Sequence, residues 1–217
     1  METRQKASIG RPRGFDADEA LEQAMRVFWE QGYEGAGLTD LTNAMGITRT
    51  SMYAAFGNKE ALFRKALERY TEGPASYGAR ALEEPTARQV ATAFLNGSVR
   101  ATTRPDCPTG CLGVQGSLAA GAPGTHARDA LVTWRNEHTS LLRDRFRQAV
   151  DDGDVLPPGS DPELLARYLM TVANGIAVQA ASGTSRDQLQ QVADMALQSW
   201  PPAWRPPCVP LRDDERA

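Results

Sequence analysis

The hydrophobic positions of this chain recur at helical spacing. Near the N-terminus, one stripe of apolar residues repeats every three or four positions: Ala17, Leu21, Ala24, Met25 and Phe28. The stripe predicts an amphipathic helix that begins after the capping residue Asp16 and ends at Gly32. The sequence has neither a sustained alternation of β-branched residues nor an Asn-Gly hairpin flanked by strands. The pattern therefore predicts an all-α fold.

Eight further helices bring the predicted total to about nine. Three short ones are expected at Leu38–Met45, Thr48–Phe56 and Lys59–Glu72, separated by glycine and asparagine residues that end or cap helices. After Gly73-Pro74 the pattern changes to longer, alanine-rich helices. These are expected near residues 86–103, 110–120, 125–152, 161–182 and 185–199.

The segment Gly37–Lys59 has the features of a helix-turn-helix. It contains a helix of eight residues, a turn with Gly46 and a second short helix. We expect the small Ala44 to let the two helices cross closely, with Ile47 and Met52 packed between them. By spacing alone, ordinary core structure explains this segment equally well.

The outer face of the second short helix carries hydrogen-bonding side chains and no acid: Thr48, Arg49, Thr50, Ser51 and Tyr53. Such a face suits contact with phosphates and base edges. Lys59 lies at the start of the next helix, where its charge opposes the helix dipole. A cation at that place makes sense if an anion docks beside it. These details favour nucleic-acid binding.

The distribution of charge matters more here than the net charge. The net charge of −3 at first argues against a nucleic-acid partner. However, residues 41–59 contain no acid, and the first 13 residues hold four bases and one acid: Arg4, Lys6, Arg11, Arg13 and Glu2. We expect Arg11 and Arg13 to contribute to DNA binding. The alternative is that this arm is only a solvated tail.

The order and spacing of these residues resemble a known family. The pattern is Gly32-Tyr33-x(4)-Leu38-Thr39-x-Leu41-x(4)-Gly46-Ile47-Thr48-x(3)-Met52-Tyr53-x(2)-Phe56-x(2)-Lys59-x(2)-Leu62. Over residues 15–65 it resembles the N-terminal domain of TetR-family transcriptional regulators. The resemblance implies an α-helical homodimer with a three-helix DNA-binding head and a divergent ligand-binding body. Most members repress transcription and release double-stranded operator DNA when a small molecule binds.

The resemblance also implies roles for single residues. Thr39, Tyr53 and Lys59 occupy positions that contact phosphate, and residues 48–51 enter the groove. Arg49 is the best candidate for reading guanine, through bidentate bonds to O6 and N7.

Two residues depart from the family pattern. Ala54 and Ala55 stand where an aromatic residue and a histidine are common, which removes two DNA-backbone contacts. Affinity is therefore expected to depend more on Arg49 and the arm.

On this interpretation the chain has four segments. They are a flexible basic arm (1–14), a helix-turn-helix domain (15–60), a helical ligand-binding and dimerisation domain (61–200), and a disordered tail (201–217) with five prolines. The N-terminus lacks the apolar core of a signal peptide, and no apolar run reaches the roughly 18 residues of a membrane span. We therefore expect a cytoplasmic protein without a membrane partner.

The predicted body offers candidate ligand-binding residues on its helix faces: Phe94, Gln115, Trp134, His138, Tyr168 and Val172. A ligand cavity needs mostly apolar walls with a few polar groups. For each residue, plain core packing is the alternative. The resemblance implies that the last two helices, which are rich in small residues, form the homodimer interface. No cofactor is expected, and the effector is not identifiable.

Cys107 and Cys111 enclose the short loop Cys107-Pro108-Thr109-Gly110-Cys111. A helix N-terminus beside Cys111 is expected to lower the pKa of its thiol. That would suit an oxidant or electrophile sensor. The alternative is two small buried hydrophobic residues. Metal binding is not expected, because no Cys/His set has recognisable ligand spacing.

Two other functional classes have less support. A thiol-dependent enzyme would use Cys111 with His126 or His138, but the sequence lacks a Gly-x-Ser-x-Gly, P-loop, His-Glu-x-x-His or dinucleotide-binding motif. A protein-interaction module that retains a vestigial head is the third class. The sequence therefore favours a ligand-responsive DNA-binding regulator, most often a repressor, over an enzyme.

Overall fold

A computed structural model describes residues 14–118, 125–198 and 200. The described residues form ten helices and no strand, which confirms the all-α prediction. The helices are α1 (Ala17–Gly35), α2 (Leu38–Ala44), α3 (Arg49–Phe56), α4 (Lys59–Glu72), α5 (Tyr77–Leu82), α6 (Ala87–Thr102), α7 (Leu112–Leu118), α8 (Thr125–Asp151), α9 (Pro162–Ala181) and α10 (Arg186–Leu197). Arg11, Arg13 and the predicted tail lie outside the described residues.

Local capping residues set the starts of the first helices. The side chains of Asp16, Thr48 and Asn58 accept hydrogen bonds from first-turn backbone N–H groups at 2.9, 3.1 and 2.8 Å. They thereby begin α1, α3 and α4 at the expected places. Within α1, Gly32 has φ 69° and ψ 175°. The regular part of α1 therefore ends at Gly32, as predicted.

The prediction of nine helices missed α5. In the sequence, Gly73-Pro74 marks only a break between helices, and the α5 helix that follows it is six residues long. A helix of fewer than two turns is too short for apolar periodicity to reveal it. Its Gly78 and Ala81 are buried, and the helix packs against α6.

The described residues divide into two compact units. The first unit contains residues 14–76, 104–118 and 125–135, and the second contains 77–103, 136–198 and 200. The predicted boundary between head and body, after residue 60, falls inside α4. Residues 104–118 and 125–135 share the unit that contains α1 to α4.

Buried aromatic residues join α1 to α4 in the first unit. Phe28 meets Phe63 edge to face, with ring centroids 5.1 Å apart, and Trp29 meets Tyr70 in the same way at 4.8 Å. Each such buried side chain contributes about 1.5–3 kcal/mol from apolar burial, and aromatic pairing adds to this. The start of α4 is therefore fixed relative to α1.

The second unit has its own core, built from α6, α8, α9 and α10. The Asp154 carboxylate accepts a 2.6 Å hydrogen bond from the backbone N–H of Ala87 and so caps α6 from a distant loop. Arg145 donates to the backbone carbonyls of Leu82 and Glu84 at 3.0 and 2.6 Å. In the described part of the chain, no helix has the length and hydrophobicity to cross a bilayer.

Candidate nucleic-acid interface

Helices α2 and α3 form the expected helix pair. Gly46 has φ +65°, a conformation that side chains disfavour, and the backbone N–H of Ile47 donates to the Thr42 carbonyl at 3.1 Å. These features close a tight turn between the helices. Leu41 and Met52 are fully buried, so each helix is anchored on its inner side.

One packing prediction for this pair was wrong. Ala44 is exposed, and the buried side of α2 consists of Leu41, Thr42 and the C-capping residue Met45. The Thr42 hydroxyl donates to the Leu38 carbonyl at 2.9 Å, which satisfies this polar group inside the head. Because that bond hides the hydroxyl, a threonine can take an inner position that was expected of alanine.

The N-terminal part of α3 presents its polar side chains outward. Thr48, Arg49 and Thr50 are exposed, Tyr53 is 48% exposed, and Ser51 is half-buried. Met52 and Phe56 are buried on the other side of the helix. The first turn of α3 holds no acid. The structure therefore brings the predicted groove-facing residues together on one surface that can donate hydrogen bonds.

Arg49 and Thr39 contact each other directly. The Nη2 group of Arg49 donates to the Thr39 hydroxyl at 2.8 Å, which links α3 to the start of α2. A guanidinium has several N–H donors, so one such bond leaves others for acceptors on a ligand. The Thr39 hydroxyl keeps its own hydrogen to donate. This pair was not foreseen, because the residues lie ten positions apart on different helices.

Lys59 is the first residue of α4, and it lies over an aromatic ring. Its ammonium nitrogen is 4.5 Å from the centroid of the Tyr33 ring. Partial burial lowers the pKa of Lys59, and the charge of Glu34 acts in the opposite direction. Burial, with smaller contributions from Glu60 and Glu34, raises the pKa of Tyr33. Tyr33 was part of the sequence pattern, but nothing in that pattern pointed to contact with Lys59.

The six candidate ligand-binding residues lie in both units. Gln115 and Trp134 belong to the first unit, and Phe94, His138, Tyr168 and Val172 belong to the second. Phe94 and His138 both lie beside Gly78, where an added Cβ would be 3.9 and 4.0 Å from their ring carbons. Tyr168 is 43% exposed, whereas Val172 packs against the core. A pocket shared by these residues stays a prediction.

Trp134 connects α8 with α4 and α7 in the first unit. Its indole N–H donates to the Thr71 hydroxyl at 2.8 Å, and its ring is tilted against Tyr70 at 6.3 Å. Gly113 approaches so closely that an added Cβ would lie 2.4 Å from the Trp134 ring. The Gln115 amide donates to the Thr109 carbonyl at 3.3 Å, and its buried oxygen has no hydrogen-bond partner.

The expectation of an acidified Cys111 thiol was wrong. Burial raises the pKa of Cys111, and it outweighs the opposing hydrogen bonds from Tyr70 and from the backbone of Val114 and Gly113. Cys107 is half-buried, and both thiols are free. Exclusion from water disfavours the thiolate more than the start of a short helix favours it. Among the described residues, no group of acids, histidines and cysteines is placed to hold a metal ion.

Known relatives share this architecture along most of their length. The HTH-type transcriptional repressor ComR of Escherichia coli is 32% identical over 198 residues, which is 90% of this chain and 94% of ComR. A solved structure of a cysteine mutant of the TetR family transcriptional regulator CifR, complexed with 26bp double-strand operator DNA, is 44% identical, with a TM-score of 0.82. The match covers 88% of this chain and 100% of that one. A TetR regulator from Rhodococcus sp. RHA1 is 41% identical, with a TM-score of 0.58 and coverage of 87% and 100%.

Two family models match the chain in sequence. The model described as "Bacterial regulatory proteins, tetR family" matches residues 20–66, which include α2, α3 and the start of α4. The model described as "Tetracyclin repressor-like, C-terminal domain" matches residues 86–196. The resemblance found in the helix-turn-helix segment is therefore confirmed, and the similarity to the family extends through residues 86–196. The chain belongs to the TetR family, whose members are transcriptional regulators and not enzymes.

Proposed function

We propose that this protein is a repressor that binds operator DNA through α2, α3 and Lys59 and leaves it when a small molecule binds. The exposed, acid-free start of α3 carries this proposal, because a buried inner side holds it in place as a preformed reading surface. The relative ComR is named a repressor, and the CifR structure contains operator DNA. The relatives named above are bacterial regulators, and bacterial DNA lies in the cytoplasm, so we propose that this protein acts there.

The exposed residues divide into base-reading and phosphate-binding groups. Arg49 reads guanine, and its bond to Thr39 holds the guanidinium at the start of α3. Thr39, Tyr53 and Lys59 bind phosphate, and the three remaining groove-facing residues are Thr48, Thr50 and Ser51. Arg11 and Arg13 add phosphate contacts from the arm.

A second copy of the chain completes the DNA-binding unit. Helices α9 and α10 carry a run of exposed apolar side chains: Leu164, Tyr168, Val178, Val192 and Met195. On α9 these residues repeat at helical spacing, so they form one face. We propose that the same face of a second copy covers them in a C2 homodimer. Such a dimer places two recognition helices on half-sites about 34–36 Å apart.

Replacing Lys59 with alanine weakens binding to all DNA sequences alike. Lys59 neutralises one phosphate, so its loss lowers the slope of log K against log salt by about one unit. Fluorescence anisotropy titrations at several salt concentrations measure this slope for operator and random duplexes. Equal slopes for the wild type and the variant would show that Lys59 does not contact a phosphate.

Replacing Arg49 with alanine weakens binding to the operator selectively. The lost bidentate contact to guanine costs about 1–3 kcal/mol on the operator. The same titrations on a random duplex serve as the control, because only the phosphate contacts remain there. An equal loss on both duplexes would show that Arg49 does not read bases.

Release by a small molecule requires a shift between two states. A ligand changes DNA affinity only if it binds the DNA-incompetent state more tightly. Trp134 and Thr71 connect α8 to α4, and α4 begins at the phosphate-binding Lys59. We propose that ligand binding in the body tilts α4 and changes the separation of the two recognition helices. Equal separations in liganded and DNA-bound structures would contradict this route.

Thiol sensing through Cys107 and Cys111 is the second candidate for release. One contact supports it, the hydrogen bond from Tyr70 of α4 to the Cys111 sulfur, because a change at this sulfur reaches the same helix. The more exposed Cys107 would then react first. If oxidant-induced DNA release persists in a double Cys→Ser variant, sensing by this pair is excluded.

A further inference from the structure

We infer that Tyr33 positions the phosphate-binding lysine: its ring holds the Lys59 ammonium group at the N-terminus of α4. The ammonium nitrogen lies 4.5 Å from the ring centroid, within the range of a cation–π interaction. This inference rests on the proposed phosphate contact of Lys59. It adds a residue that has no expected contact with DNA of its own.

The Tyr33 ring is held firmly enough to act as a platform. It is nearly parallel to the Phe28 ring, at 6.2 Å and 11°, and meets the Phe63 ring edge to face at 5.2 Å. Phe28 and Phe63 are fully buried. Gly32, directly before Tyr33, has positive φ and breaks the path of α1. Tyr33 is therefore placed by the core and the backbone together.

Lys59 gains from this platform because its position is otherwise unfavourable. A cation at a helix N-terminus opposes the helix dipole, and partial burial lowers the pKa of Lys59. The charge of Glu34 raises the pKa of Lys59, and the face of the Tyr33 ring, 4.5 Å away, attracts the ammonium group. Without the ring, the four-carbon chain of Lys59 would sample many rotamers. A lysine that is already held loses less conformational entropy when a phosphate binds.

A backbone phosphate completes this site. The ammonium group and the first N–H groups of α4 then face one anion, an arrangement common at helix N-termini. The Tyr33 hydroxyl is not required for it, because the ring alone attracts the ammonium. This separates the role of the ring from that of the hydroxyl and defines two matched variants.

The test compares Tyr33→Phe, Tyr33→Leu, Lys59→Ala and the double variant Tyr33→Leu/Lys59→Ala on a random duplex over a range of salt concentrations. Tyr33→Phe keeps the ring and should bind like the wild type. Tyr33→Leu should bind about two- to fivefold more weakly, the effect of losing an exposed cation–π contact. The double variant should bind no more weakly than Lys59→Ala. Wild-type binding by Tyr33→Leu, or additive losses in the double variant, would overturn the inference.

A second measurement uses the unaltered chain, so its result does not depend on whether Tyr33→Leu folds. The sequence has three lysines, Lys6, Lys59 and Lys65, so ¹³C-lysine labelling gives few NMR signals. The Lys59 signal, identified by its loss in Lys59→Ala, should show an upfield ring-current shift of its ε protons. Random-coil shifts would overturn the inference. If Lys59→Ala keeps the wild-type salt slope, the proposed phosphate contact itself fails, whatever Tyr33 does.

Discussion

Replacing Met195 with glutamate should yield a monomer that binds a two-half-site operator about a hundredfold or more weakly than the wild type. Met195 is 70% exposed on α10, and Val192, one turn before it, is 50% exposed. In the proposed dimer both side chains are buried, so each glutamate would lose its hydration without gaining a partner. A monomer contacts only one half-site, so it loses the gain in affinity that comes from binding two linked half-sites. Analytical ultracentrifugation and operator titration measure the two effects.

The matched control for this variant is Val155→Glu. Val155 is similarly exposed, at 59%, but it lies in the loop between α8 and α9. The control should remain dimeric and bind the operator like the wild type. A Met195→Glu variant that stays dimeric with wild-type affinity would show that the α9–α10 face is not the interface.

Replacing Phe63 with alanine should cost about 3–5 kcal/mol of unfolding free energy, the usual cost of truncating a buried phenylalanine. Phe63 is fully buried and meets Phe28 and Tyr33 edge to face at 5.1 and 5.2 Å. Since domains are stable by only about 5–15 kcal/mol, this loss removes between a fifth and nearly all of that stability, so the variant should unfold at a lower urea concentration. Urea unfolding followed by circular dichroism measures the loss, and operator binding should fall with it.

Val150→Ala is the control for the Phe63 variant. Val150 is on α8 and is exposed, so its truncation should change the unfolding free energy by less than about 0.5 kcal/mol. An equally small change for Phe63→Ala would mean that the ring contacts among Phe28, Tyr33 and Phe63 do not stabilise the head. In that case the platform beneath Lys59 would also lose its support.

The helices of the head could be predicted because their signals are local. Asp16, Thr48 and Asn58 each bond to backbone groups two or three residues away, so the sequence alone reveals the helix starts. Gly46 and Gly57, both with positive φ, mark the breaks in the same local way. The reading surface of α3 followed from the residue types on one helical face.

Features that depend on distant contacts could not be predicted. The Arg49–Thr39 bond and the Lys59–Tyr33 contact join different helices, and apolar periodicity gives the face of a helix but not its partner. Ala44 lies outward because Leu41, Thr42 and Met45 take the buried side of α2, and the choice of that side depends on packing against other helices. For Cys111 the sequence left a helix-end effect and burial as alternatives, and only the packing of the helices shows that burial outweighs the helix end and raises the pKa of the thiol.

The chemistry of the effector depends on the body, where residue identity gives less guidance. Trp134 and Gln115 in the first unit, and Phe94 and His138 in the second unit, are large or polar groups that suit either a core or a pocket. Which of these roles each has is decided by packing between helices. An alanine-rich helical pattern leaves that packing open.

The proposed repressor function requires that the start of α3 reads a specific operator. A titration of the region upstream of the gene against a random duplex of equal length, at one fixed salt concentration, tests it most directly. The wild type should prefer the upstream region by about a thousandfold or more, and Arg49→Ala should reduce that ratio by about 5- to 150-fold. Equal affinity of the wild type for the two duplexes would show that the start of α3 does not read a specific operator in this region.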